Sequence, residues 1–358
     1  MSCDSQPLVT VVTPVYNGEQ YLAECIESVL AQNYQNWEYI IVNNCSTDRS
    51  LKIAQAYAQQ DARIRIHNNS EFVSALQNHN IGLRQVSAEA KYCKMVFADD
   101  WLFPHCISQM VELAEANPRV AIVGAYGLND TQVSWGGLPY PSPVLPGREI
   151  CRRTLLGGFY VFGSPTSILI RSDLMQKHEA LYNESNFHAD NELCFDLLKD
   201  FDFGFVHQVL TYSRRHNETR SSFSERFNTY LLGTLIILTK YGPIYLEERE
   251  YEKCLQDHME SYYRFLAQSL LYRMDKELIE YHKSGLRSIG YAFSRAKLLA
   301  VLGLEVLDIL GNPKNTLERM ARRIRRFVRE GTAPEVCAVK LHDGMNKGSS
   351  RIEENRHA

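Results

Sequence analysis

The chain has 358 residues, 45% of them apolar and 23% charged, the composition of an ordinary globular protein with material for one large core or two. A net charge of −3 excludes a chain-wide basic surface, so nucleic acid is not an expected partner. Nine scattered cysteines, with no Cys-x-x-Cys pair, exclude a disulfide framework or zinc module and read as reduced core thiols of a cytoplasmic protein.

The opening MSCDSQPLV lacks a basic segment followed by an apolar one, so it does not read as a secretory signal. No apolar run reaches the roughly 18 residues that a membrane span needs.

Residues 8–13 (LVTVVT) predict a buried strand, and Pro14-Val15-Tyr16-Asn17-Gly18 a turn in which Asn-Gly tolerates positive φ. Leu22, Cys25, Ile26, Val29 and Leu30 share one helical face. A second strand is expected at 37–42 and a polar turn at 43–48, the latter capping a helix over 51–58. A short third strand at 64–67 precedes a polar loop and a helix carrying Ala75, Leu76 and Leu83. Then come the strand that opens at Tyr92, a helix from 104 to about 116 and a strand at 120–123. Strands alternating with helices at this spacing predict an α/β fold with a largely parallel sheet flanked by helices.

Residues 134–147 (SWGGLPYPSPVLPG) are dense in Pro and Gly and read as a long irregular flap. Strand character returns at 159–170 with a Gly-Ser-Pro turn, a helix is expected at 188–198, and one or two strands at 201–212. Beyond Ser222 the pattern is helical, with a break expected at Gly242-Pro243. Leu317, Met320, Ala321, Ile324, Phe327 and Val328 form an apolar stripe among six arginines, the pattern of a basic amphipathic helix on an anionic membrane surface or of a solvated helix packed on the protein. The expected organisation is a catalytic domain over 1–222, a helical C-terminal extension over 223–330 and a disordered tail over 331–358.

The chemistry centres on 92–104 (YCKMVFADDWLFP), a short strand that runs into Asp99 and Asp100. Ligands of open α/β sheets bind at the carboxyl ends of the strands. Two hard oxygen donors there suit a divalent cation that also holds phosphate oxygens. Taken alone, the pair reads more simply as a solvated loop start or helix cap.

The order of residues changes that balance. Val11 through Gly18, Leu22 through Gln32 with Tyr34, Val42 through Asp48, Asn80-Ile81-Gly82 and Ala98-Asp99-Asp100 together resemble family 2 glycosyltransferases of the Rossmann-like GT-A fold, over about residues 7–222. The resemblance implies inverting transfer of a sugar from a nucleotide-diphosphate donor to an acceptor hydroxyl, in cell-surface polysaccharide or lipopolysaccharide synthesis. A glycan or lipid-linked acceptor goes with it, while the cysteine usage and the basic 317–329 stretch make a cytoplasmic protein with peripheral contact at the inner face of the membrane the expected setting.

By the same resemblance, Pro14, Tyr16, Asn43, Asn44, His79 and Asp99 would contact the nucleotide. Asp99 and Asp100 would hold Mn²⁺ or Mg²⁺. Asp190 would be the catalytic base, with Glu192 in reserve. Arg215 and His216 would close over the diphosphate, and Gly163 and Ser164 would face the acceptor.

The chain departs from the family at several points. Asn43 and Asn44 stand where a carboxylate is usual, leaving uridine as the default base and guanosine or thymidine as alternatives. His79 stands for a frequent Arg, Phe97 for the first acid of Asp-x-Asp-Asp, and Ala189 for a common Glu. These departures keep a second, non-catalytic reading open, that of a degenerate nucleotide- or glycan-binding protein. A nucleotidyltransferase would want a Gly-rich phosphate loop where Pro14 through Gly18 stands.

Overall fold

The computed structural model describes residues 6–175, 181–214, 220–272 and 275–311. It divides into two compact units, residues 1–154 with 158–216, and residues 155–157 with 217 onward.

The first unit opens with β1 (Val9–Val15), α1 (Leu22–Leu30), β2 (Trp37–Asn43), α2 (Ser50–Gln60), β3 (Ile64–Asn68), α3 (Ala75–Arg84) and β4 (Tyr92–Met95). It continues with β5 (Trp101–Leu102), α4 (Cys106–Ala116), β6 (Val120–Asn129), β7 (Gln132–Ser134), β8 (Val144–Pro146) and α5 (Gly147–Leu155). A 3₁₀ turn (Pro165–Ser167), β9 (Ile168–Arg171), α6 (Ser172–Met175), α7 (Ala189–Leu197) and β10 (Asp202–Ser213) complete it.

The strands form one mixed sheet in the order β3-β2-β1-β4-β9-β6-β10-β5, with β7 on β6 and β8 on β10. β3, β2, β1 and β4 run parallel, as do β6 and β10, while β9 is antiparallel to both β4 and β6. The α/β class is therefore as the alternation of elements predicts.

Register positions the site. Val15 pairs with Asn43 across β1 and β2, Val12 pairs with Met95 across β1 and β4, and the Val96 amide extends that ladder to the Val12 carbonyl at 2.9 Å. The turns that follow β1, β2 and β4 thus leave the sheet along one edge. α3 lies close over β1 and β2 because Gly82 permits it: a Cβ there would stand 2.7 Å from Val12 Cγ1 and 3.1 Å from Val42 Cγ2. Beneath the sheet, α1 buries Leu22, Cys25, Ile26 and Val29 against the core that also holds Trp37, Tyr39, Ile107 and Met110.

Three expectations need correction. Residues 134–147 are not wholly irregular, since Val144–Pro146 joins the sheet antiparallel to β10. Pro146 is tolerated because β8 is an edge strand, where a missing amide breaks no central ladder. Within 159–170 only the last residues are strand; Gly163, at φ 70°, and the 3₁₀ turn that follows bend the chain first.

The third correction lies in the second unit, which is built from α8 (Arg220–Phe227), α9 (Thr229–Tyr245), α10 (Glu248–Tyr272), α11 (Lys276–Ser288) and α12 (Arg295–Gly311). α9 does not break at Gly242-Pro243 but runs through Pro243 to Tyr245. Proline there forgoes one backbone hydrogen bond near the helix end. Gly242 meanwhile lets Tyr251 pack on the helix backbone, where a Cβ would be 2.4 Å from its ring. Leu231, Leu235, Tyr262, Tyr263, Leu266, Leu278 and Leu286 form this unit's core. Residues 317–329 and 331–358 lie outside the described residues. Among the described residues no helix is long and apolar enough to cross a membrane.

Candidate active site

The first strand ends in an aromatic rim. Tyr16 is 50% exposed and Phe72 is 61% exposed, and their ring centroids stand 4.8 Å apart. The turn that presents Tyr16 is pinned to the turn after β2. Asn17, at φ 50°, accepts from the Thr47 amide at 2.8 Å and donates its own amide to Ser46 Oγ at 3.0 Å, and the Gly18 amide reaches Ser50 Oγ at 2.8 Å.

Asn43 and Asn44 are both buried. Asn44 donates Nδ2 to the Val73 carbonyl at 2.8 Å and accepts, on Oδ1, from the Val73 amide at 3.0 Å and Asn69 Nδ2 at 2.9 Å. Its amide thus acts as a strand partner for the segment that carries Phe72. Asn43 accepts from the Ser46 amide at 3.2 Å and donates to Asn68 Oδ1 at 3.2 Å. Phe72 escapes a sequence reading because a lone aromatic in a polar loop carries no pattern.

Two departures from the family pattern form one contact. Phe97, in the place of an acid, stacks on His79, in the place of an arginine, with centroids 5.2 Å apart and planes 28° from parallel. Tyr182 meets the same imidazole edge-on at 6.0 Å. Asn80, next to His79, holds Tyr182 in turn: its Oδ1 accepts from the Tyr182 amide and its Nδ2 donates to the Tyr182 carbonyl, both at 2.9 Å.

Asp100 is 5% exposed and its carboxylate is held by three donors. Thr166 Oγ1 donates to Oδ2 at 2.6 Å, Ser213 Oγ to the same oxygen at 3.3 Å, and the Arg214 amide to Oδ1 at 3.1 Å. Burial first, and the neighbouring Asp99 charge second, push the Asp100 carboxyl up to about 7, against the pull of those donors. The Arg214 guanidinium pairs with Glu24 at 2.6 Å and lies over the Tyr21 ring at 4.2 Å. Beside it, Trp101 stacks on Tyr212 with centroids 3.7 Å apart. Arg215 and His216 lie outside the described residues.

The donor set suits a hard divalent cation. Among the described residues no three His, Cys, Asp or Glu side chains gather into a metal site of their own, so an ion at Asp99 and Asp100 would draw its remaining ligands from a bound molecule or water. Magnesium-type sites in phosphate chemistry are built in that way. Two adjacent carboxylates, one of them buried, repel each other and so favour a cation.

Gly163 and Ser164 precede the 3₁₀ turn that carries Thr166. Tyr160 Oη shares its single proton between the Gly163 carbonyl, at 3.0 Å, and Asn191 Oδ1. Gly163 also keeps room for the Ser167 side chain, which a Cβ would meet at 2.6 Å. Asn191 follows Asp190, and Asp190 sits in the first turn of α7, where the helix dipole favours a carboxylate. A chain of contacts therefore runs from Asp100 through the 163–167 turn and Tyr160 to the start of α7. Glu192 is buried, its Oε2 accepting from Asn183 at 3.1 Å and Asn186 at 2.9 Å, so its carboxylate braces the 183–186 loop. Thr166 and Ser213 are site residues that no local pattern announces, because each reaches Asp100 from a distant part of the chain, Thr166 from the 3₁₀ turn and Ser213 from the end of β10.

Several known proteins are similar to this chain in sequence or fold. The profile "Glycosyl transferase family 2" matches residues 10–177. An uncharacterized glycosyltransferase of Haemophilus influenzae is 30% identical over 194 residues, 52% of this chain and 58% of the relative. Glycosyltransferase GlyG of Streptococcus pneumoniae is 31% identical over 188 residues, 50% of this chain and 60% of the relative. This chain therefore spans less than two thirds of the length of either. The uncharacterized glycosyltransferase RP339 of Rickettsia prowazekii is 30% identical over 248 residues, 67% of this chain and 76% of the relative. Among solved structures, S. aureus TarS 1–349 in complex with UDP-GlcNAc superposes with a TM-score of 0.58 at 16% identity, over 90% of this chain and 92% of that one, a likeness of fold. With the profile, the Rickettsia relative and the GT-A arrangement of the sheet in agreement, the chain belongs to glycosyl transferase family 2.

Proposed function

We propose that this chain is an inverting, metal-dependent glycosyltransferase that moves a sugar from a nucleoside-diphosphate donor, a UDP-sugar by default, to an acceptor hydroxyl. The observation that carries the reading is the common edge. There the ends of β1, β2 and β4 bring the Tyr16 rim, the Asn43-Asn44 turn and the buried Asp100 to one side of the sheet. Tyr16 and Phe72 would stack on the base, and the Asn44 pairing with Val73 holds that wall in place.

Asp99 and Asp100 would hold Mn²⁺ or Mg²⁺ together with the diphosphate of the donor. Bound there, the cation neutralises negative charge on the leaving diphosphate. Asp190 would accept the proton of the attacking hydroxyl, from a first helical turn whose dipole favours negative charge. Gly163 and Ser164 would border the acceptor, and His79 would stand beside the donor. Arg215 and His216 remain the proposed diphosphate contacts of a closing segment. The UDP-GlcNAc bound by TarS favours uridine as the base.

Cell-surface polysaccharide or lipopolysaccharide synthesis, on a glycan or lipid-linked acceptor, is the setting we infer. An anionic lipid surface is the partner that best suits the second unit. α12 leaves Leu299, Leu304, Leu307 and Leu310 between 63% and 71% exposed. Residues 317–329, next in the chain, add six arginines. Vesicles containing anionic lipid should retain the protein at low salt and release it at high salt. Equal retention by neutral vesicles would remove the electrostatic part of this reading.

The primary test is calorimetric titration of UDP, GDP, dTDP and CDP, with and without Mn²⁺, against wild type and Asp100→Ala. Metal-dependent binding of one nucleotide, lost in the variant, is expected. Nucleotide binding without sugar transfer would favour the degenerate reading, and no binding would overturn the donor-site assignment.

A further inference from the structure

Lys94 lies inside β4 with no solvent exposure. Its Nζ donates to the Thr166 carbonyl at 2.6 Å and the Ile168 carbonyl at 3.1 Å, and stands 3.8 Å from Met110 Sδ. These carbonyls lie where β9 has not yet joined β4, since their ladder pairs only Cys93 with Ile170 and Tyr92 with Arg171. The amine therefore replaces ladder amides. Burying a charged group is costly, and a methionine would fill the same length without that cost. Mere space-filling does not explain a lysine here.

The other end of the same turn does. Thr166 offers its carbonyl to Lys94 and its hydroxyl to Asp100, while that hydroxyl accepts from the Phe97 amide at 3.1 Å. Lys94, the chain from β4 to Asp100, and Thr166 thus close a ring. The turn before β9 is fastened to β4 at one end and to the acidic pair at the other.

We propose that Lys94 is a positioning residue: by clamping the Thr166 and Ile168 carbonyls it aims the Thr166 hydroxyl at Asp100 and orients that carboxylate toward the cation. The inference rests on the reading of Asp100 as a cation ligand. Lys94 touches neither donor nor metal. It acts through the turn that carries Thr166, as groups behind a metal ligand do.

The test compares wild type, Lys94→Met, Thr166→Val, the double variant, Thr166→Ser and Asp100→Asn. The readouts are Mn²⁺ affinity with UDP present, kcat and KM for transfer, and Tm. Lys94→Met is expected to weaken Mn²⁺ binding about tenfold or more. In the Thr166→Val background it should add nothing, because both changes cut the same connection. Thr166→Ser keeps the hydroxyl and should bind as wild type does. Additive losses, or a lowered Tm with unchanged Mn²⁺ affinity, would mean that Lys94 merely supports the fold. If Lys94→Met does not fold, Lys94→Gln, which retains a donor, is read instead; intermediate affinity supports the role and full affinity overturns it. Wild-type Mn²⁺ binding by Asp100→Asn would sink the cation-ligand reading itself. Weak binding there, with full affinity in Lys94→Met, would sink only the role of Lys94.

Discussion

Thr166 donates its hydroxyl to Asp100 at 2.6 Å across 66 positions of sequence. The bond joins a carboxylate on the turn after β4 to the 3₁₀ turn before β9. Hydrogen bonds to a charged group contribute about 1.5–3 kcal/mol each. Together with Ser213 and the Arg214 amide, the Thr166 bond partly offsets the cost of burying Asp100.

That burial makes the site pH-dependent. The Asp100 carboxyl is raised to about 7 in the folded protein, above its ordinary value near 3.8. A raised acid binds its proton more tightly when folded, so its stabilising contribution is complete below the ordinary value and lost as pH rises through about 7. Metal-free protein should therefore gain stability from this group on acidification within that window, and Asp100→Asn should flatten the profile of Tm against pH. Cation binding should run the other way, weakening as pH falls below about 7 because metal and proton compete. A Mn²⁺ affinity that stays constant from pH 8 to pH 6 would contradict the assignment.

The stacked His79 and Phe97 predict a strongly coupled pair. His79→Arg alone would press a guanidinium against an apolar ring at a buried position, and Phe97→Asp alone would leave a carboxylate facing imidazole. Each single variant should lose roughly 1–3 kcal/mol by denaturant unfolding. The double variant, which restores the acid and arginine usual in the family, should recover at least half of the summed loss. Simple additivity would show that the two side chains are independent.

Asp190 offers a separate readout of chemistry and binding. Asp190→Asn keeps the shape of the first turn of α7 but cannot take a proton. Transfer should fall by about 10²–10⁴-fold, while nucleotide affinity stays within a factor of two. A variant that loses both equally would make Asp190 a structural residue of the first turn of α7.

The second unit has its own titration. His282 is fully buried, with one ring nitrogen within 2.7 Å of the Phe227 carbonyl and the other within 2.7 Å of Tyr262 Oη. Burial lowers it from 6.5 to about 4, against the Phe227 bond. A lowered base favours its neutral form when folded, so stability is complete above 6.5 and lost as pH falls toward 4. Hydrogen exchange should show α10 and α11 opening more readily over that interval, and His282→Gln should remove much of the pH dependence.

Much of this protein is legible in its local sequence. β-branched runs and 3.6-residue periodicity mark β1, β2, α1 and α4 within a few positions, because both report burial, which a side chain's neighbours in the chain already define. Asp99 and Asp100 are legible as an acidic pair just beyond a strand, but β4 stops at Met95 and the turn that follows buries Asp100 to 5% exposure, which the strand pattern does not announce. Lys94 shows the limit. In a strand pattern it reads as an ordinary solvent-facing lysine, and only the arrival of β9 beside β4 surrounds it.

Pairing across the sheet supplied everything that depends on distance. Residues 163–167 and the end of β10 converge on Asp100 because β9 runs antiparallel between β4 and β6, a choice made by long-range packing rather than by any local propensity. The residue types alone say which side chains are chemically able to bind a cation or accept a proton. Tertiary structure alone decided that Thr166, Ser213 and Arg214 hold Asp100, that Asn44 braces Val73 and that Phe97 rests on His79. The physical reason is the short range of these forces: hydrogen bonds and ring contacts act over a few ångströms, and the chain brings their partners that close only after the sheet has formed.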